Sequence, residues 1–189
     1  MMQTLAGICR TARSVEKELE MIRLYPYVGP AEIKARSSQS PGTSISCLAD
    51  LLGWVRGTAQ RPGPDGLIAS TFVIDAGGGL RLADRRSEHV ACAGGEPVLS
   101  AGEMFFHSDG DHAEVIEASN QSTGYCPQPE SWRTVAAALD RIGIGHPGQF
   151  TTAVIFRRCV VCAEPNIVKD DWFTCSVCRA DLPGEWNFR

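Results

Sequence analysis

Two Cys-x-x-Cys pairs, Cys159-Val-Val-Cys162 and Cys175-Ser-Val-Cys178, stand twelve residues apart near one end of the 189-residue chain. Each pair forms a knuckle that turns two thiolates toward one point, and two knuckles complete a tetrahedron of four sulfur ligands. This pattern dictates a small metal-held module, because a segment of this size buries too little apolar surface to fold unaided. The segment between the pairs has hairpin chemistry: residues 164–166 turn, 167–169 form a strand, Asp170-Asp171 turn again and 172–174 return. Zinc is the ion expected, as a structural site, since four protein ligands leave no open position for water or substrate. Soft thiolates also suit iron, and a redox role for the pairs is the third option.

The module resembles a zinc ribbon over residues 157–182. Its basic residues Arg157, Arg158, Lys169, Arg179 and Arg189 are matched by Glu164, Asp170, Asp171, Asp181 and Glu185. The whole chain has a net charge of −4, so phosphate attraction is lacking and nucleic acid is not the expected partner. Trp172, Phe173, Trp186 and Phe188 either seal the ribbon against the rest of the protein or offer an aromatic patch to another protein.

The other four cysteines, Cys9, Cys47, Cys92 and Cys126, are scattered singly and are expected to be free thiols. The apolar run before Arg10 is too short for a signal-peptide core and no stretch is long enough to span a bilayer, so the expectation is a cytoplasmic protein without membrane segments.

Upstream of the cysteines the hydrophobic period changes along the chain. Val15, Leu19 and Ile22 predict a helix over 14–24. Residues 36–44 read as a linker, and Ile45, Leu48, Leu51, Leu52 and Val55 predict a second helix closed by Gly57. Residues 71–76, the turn Gly77-Gly78-Gly79 and 80–84 predict one hairpin. Residues 103–107, the turn 108–111 and 112–118 predict another, with His107 and His112 facing solvent beside its turn. A helix over 130–142 ends at Gly143, and 150–156 reads as a last strand of the body running into the cysteines. The fold class is α+β: an N-terminal helical segment with linker (1–66), a β-rich antiparallel body (67–156), and the zinc ribbon with its tail (157–189).

Between Arg85 and Pro129 glycine and small polar residues are dense. The pattern Ala93-Gly94-Gly95, then Ala101-Gly102-Glu103, then Ser122, Tyr125 and Pro127 resembles a domain of plant IQ-motif calmodulin-binding proteins and their bacterial and fungal relatives. The resemblance covers 71–143 and implies a compact β-rich α+β domain. The family's histidine before its Ala-Gly-Gly falls opposite Glu88, with His89 one place later, and its Ser-Gly-His-Tyr histidine is Gly124 here.

The residues of this region that bear chemistry are His89, Glu103 and Tyr125 as candidate catalytic groups, with Gly94, Gly95, Ser119, Asn120 and Ser122 as candidate substrate contacts. Two functions remain open. One is a zinc-binding interaction or adaptor protein whose partner is another protein. The other is a transferase or hydrolase, of the ADP-ribosyltransferase kind, acting on a nucleotide-containing substrate. Turn-making glycines and a loop held by its own hydrogen bonds would explain the same residues without chemistry.

Overall fold

The computed structural model describes residues 23–37 and 41–188. The helix expected over 14–24 lies almost wholly outside them, as does Cys9. The elements are α1 (Ala31–Ser37), β1 (Thr43–Ile45), α2 (Leu48–Gly57), β2 (Ile68–Asp75), β3 (Leu80–Asp84), the single turn α3 (His89–Cys92), β4 (Val98–Ser108), β5 (Ala113–Ser119), α4 (Trp132–Ile142), β6 (Ile155–Arg158) and β7 (Pro165–Val168). The architecture is α+β, mostly antiparallel, with the cysteine cluster at the C-terminal end.

Five strands form the main sheet in the order β1-β3-β2-β4-β5, every pair antiparallel. Both expected hairpins are present. Asp75 makes the first turn work by accepting the amides of Gly77 and Gly79. In the second, Asp109 accepts the His112 amide, and both His107 and His112 are exposed. Strand β4 begins at Val98, earlier than expected, because its first residues are buried beside β2 and the Tyr25 backbone.

The two faces of the sheet carry separate cores. On one, Phe72, Leu82, Met104 and Phe106 meet Leu51 of α2 and the stripe Val135, Ala138, Leu139 and Ile142 of α4. Those α4 positions recur at helical spacing, which is why one face of that helix is buried. On the other, Val73, Val98 and Ala101 are covered by Tyr25, Val90, Cys92 and Tyr125.

Three boundaries differ from the sequence reading. Ile45 belongs to β1, opposite Leu80, and the helix starts only at Leu48, after Ser46 has turned its amide and hydroxyl onto Asp50. Of the residues read as a linker, 36 and 37 end α1 and 43 and 44 belong to β1. The strand expected over 150–156 is β6, starting at Ile155, and it pairs with β7 rather than with the main sheet. Phe150 is instead buried edge-on against Trp132, at 5.1 Å between centroids, and the Thr151 hydroxyl donates to the Ala118 carbonyl.

Candidate metal centre and the loop beside the sheet

The ribbon is built on β6 and β7, which run antiparallel from Ile155 opposite Val168 to Arg158 opposite Pro165. The first knuckle is therefore the connection of this hairpin. The return expected within 167–174 contributes only a bridge between Lys169 and Trp172, and Thr174 bridges Asp181 instead. The reason is the location of the thiols: the strand before the first pair is long enough to fix one knuckle, and the second is carried on irregular chain.

The two knuckles repeat one backbone design. The Cys159 amide donates to the Glu164 carbonyl at 2.9 Å, and the Cys175 amide to that of Ala180 at 2.8 Å. The Ala163 amide returns to the Cys159 carbonyl at 3.0 Å and the Arg179 amide to that of Cys175 at 3.1 Å. The residue after each second cysteine is left-handed, Ala163 at φ 63° and Arg179 at φ 64°. Two like loops thus face each other across a common point.

The sulfur atoms of Cys159, Cys162, Cys175 and Cys178 all lie within 4.8 Å of one another. The Cys159–Cys178 and Cys162–Cys175 sulfurs are 3.5 and 3.6 Å apart. A tetrahedron with zinc–sulfur bonds of about 2.3 Å has edges of about 3.8 Å, so the donor set and its dimensions are compatible with a zinc ion. Knuckle amides favour the thiolate form on two of the four: the Cys178 amide holds Cys175 down at about 6, and that of Cys162 lowers Cys159, whereas at Cys162 the Glu164 amide is outweighed by burial and the neighbouring sulfurs, which push that thiol up to about 12. Cys159 and Cys175 are buried, whereas Cys162 and Cys178 are exposed. The other described cysteines, Cys47, Cys92 and Cys126, are free thiols.

Around the sulfurs lies a small core of Val168 and Leu182, with Ile155 and Phe173 packed against it. The Arg157 guanidinium is buried over Phe173 and donates to the carbonyls of Phe156, Pro183 and Gly184. Asn187 brackets Arg158, accepting its amide at 2.8 Å and donating to its carbonyl at 2.7 Å, as a neighbouring strand would. The chain after the second knuckle is in this way laid back along β6.

The aromatic residues divide. Trp186 meets Tyr25 edge-on and Phe188 is buried with Cys126, Val154 and Phe156, so both seal against the body. Phe173 is internal to the ribbon. Trp172 is 72 % exposed, in the turn after β7, and the knuckle residues Val160, Val161 and Val177 are equally bare.

Of the residues singled out in the glycine-rich region, His89, Glu103, Tyr125, Ser119 and Asn120 have partners within the protein, and the Ser122 hydroxyl has none. His89 opens α3 and its Nε2 lies 3.0 Å from the Gly102 carbonyl, which can only accept, so that nitrogen carries the proton. Burial drives the His89 pKa down to about 4. Glu103, in β4, is half-buried with a carboxylate oxygen 3.8 Å from Arg85 Nε. The buried Tyr125 hydroxyl donates to the Glu96 carbonyl at 2.7 Å, and burial raises its pKa.

Asn120 is fully buried; it donates to the Pro127 and Val154 carbonyls and accepts the Val154 amide. Ser119 accepts the Gln121 amide, and the buried Ser122 hydroxyl has no protein partner. Gly94 and Gly95 close α3 with left-handed φ values of 65° and 84°. Gly102 lies so close to Ser119 that a Cβ there would overlap the Ser119 carbonyl. A Cβ at Gly124 would stand 2.7 Å from the Tyr27 ring, so the space beside this glycine is filled by a tyrosine from elsewhere in the chain.

Sequence reasoning missed Asn166, Arg157 and Asn187. Asn166 had a signal: it shares the inward parity of Val168 in β7, where a polar residue is unusual. No family model, curated protein or solved structure matches the chain.

Proposed function

We propose that this protein is a zinc-binding interaction module, in which a ribbon held by one structural Zn²⁺ presents an apolar rim to a protein partner. The observation that carries this reading is the exposure of Val160, Val161 and Val177 at the knuckle tips, 64–73 %, together with Trp172. None of these side chains belongs to the ribbon core, so small polar residues would serve the metal equally well. Exposed apolar side chains mark interaction surfaces, and tryptophan is among the residues that dominate protein-binding hot spots. The net charge of −4 favours a protein over nucleic acid.

The engagement of His89, Tyr125 and Asn120 with backbone groups favours the same reading over a transferase or hydrolase, because those atoms already have partners. The glycine-rich region then serves to brace the sheet.

The test pairs metal analysis with affinity capture. Purified protein should hold about one equivalent of zinc, and the triple variant V160S/V161S/W172A should keep that zinc while losing the proteins that the wild type retains from its own cell extract. Less than half an equivalent of zinc, or retention of the same proteins by the variant, overturns the reading.

A further inference from the structure

The buried side chain of Asn166, in β7, joins the β6–β7 hairpin to the second knuckle. Asn166 is 5 % exposed, and its carboxamide makes four hydrogen bonds. The Oδ1 atom accepts the Ser176 amide at 2.9 Å and the Ser176 hydroxyl at 3.0 Å. The Nδ2 atom donates to the Glu164 carbonyl at 2.8 Å and to the Cys175 sulfur at 3.6 Å. The orientation of the amide is settled by its neighbours, since a backbone N–H must meet an acceptor and a carbonyl must meet a donor.

We infer that Asn166 is a positioning residue for the metal, which docks the second knuckle onto β7 and stabilises the Cys175 thiolate through its Nδ2–H. The inference rests on the zinc reading above and concerns how strongly the site holds its ion. Four thiolates around Zn²⁺ leave two surplus negative charges, and N–H donors on the sulfurs offset them. In the first knuckle the Val161 amide approaches the Cys159 sulfur at 3.4 Å, from within the knuckle itself. In the second, a side chain from a different strand adds a donor, so the two halves of the site are joined by one residue that is not a ligand. Asparagine suits the place because it offers an acceptor to Ser176 and a donor to sulfur at once; aspartate keeps only the acceptor, and adds charge beside the thiolates.

The experiment uses the full chain with zinc and with cobalt alone as probes. Zinc affinity is read by chelator competition for wild type, Asn166→Asp, Asn166→Ala and Ser176→Ala, and the thiolate-to-cobalt charge-transfer band is recorded for each. Asn166→Asp and Asn166→Ala are expected to bind zinc about 10–100-fold more weakly, the range for groups that orient metal ligands. Their charge-transfer bands should move to lower energy as the sulfur loses its donor, a signature that mere bracing would leave in place. Ser176→Ala should weaken binding less and leave the band unshifted. Where a variant folds only with metal bound, the chelator midpoint reads the same affinity. Wild type that takes up no zinc overturns the zinc reading and this inference with it. Wild-type binding matched within twofold by Asn166→Asp and Asn166→Ala, or weakened binding with unshifted bands, overturns the inference alone.

Discussion

The Trp186 indole N–H donates to the Cys126 carbonyl at 2.7 Å, so the chain that leaves the second knuckle ends anchored on the loop after β5. Arg23 lies over the same indole at 4.7 Å, and Phe188 is buried two residues further along. Ribbon and body therefore share a wall. Removing zinc with a chelator, or substituting Cys175→Ser, should lower the thermal midpoint of the body as well as unfold the ribbon, because a structural site contributes on the order of 10 kcal/mol to a module with little core. Trp186→Ala should reproduce part of the loss, about 2–3 kcal/mol, and Trp186→Phe about 1 kcal/mol for the hydrogen bond. Circular dichroism melting with and without metal checks this; a body midpoint indifferent to zinc would make the ribbon an independent domain.

A Cβ at Gly102 would overlap the Ser119 carbonyl at the end of β5, and there is no room for a methyl group. Gly102→Ala should destabilise by about 3 kcal/mol or more, since backbone on the other side must move. Gly124→Ala meets only the Tyr27 ring, a side chain able to swing aside, and should cost about 1 kcal/mol. Urea unfolding of the two variants should give this order, and the reverse order would mean that the sheet edge yields more easily than the ring.

His89 makes stability depend on pH in a defined direction. Its pKa falls from 6.5 to about 4 on folding, through burial. The unfolded chain then binds the proton more readily, so the contribution is complete above pH 6.5 and is lost as pH falls toward 4, amounting to about 3 kcal/mol at most. Denaturation free energies of wild type should drop over that window, and those of His89→Asn should drop less. Equal slopes for the two proteins would assign the change to other groups.

The turn between β7 and Trp172 uses two successive left-handed residues, Asp170 at φ 52° and Asp171 at φ 54°, where Asn-Gly is the favoured pair. Asp171→Gly should relieve strain of about 1 kcal/mol and raise the chelator concentration at which the ribbon unfolds. Unchanged resistance to chelator would show the strain to be offset by the solvated carboxylates.

The four cysteines, both hairpins of the main sheet and α4 were legible in the sequence because each depends on local chemistry: ligand spacing, turn residues and a helical stripe ending at Gly143. That local information set which faces are buried and where the chain must turn. It was silent on partners, since any strand edge offers the same backbone groups to any other. Only the tertiary structure decided that β6 pairs with β7, that Tyr27 fills the space beside Gly124, and that the tail returns to Trp186's place on the body. The same holds for Asn166, whose amide has meaning only once the second knuckle has been brought against both its oxygen and its nitrogen.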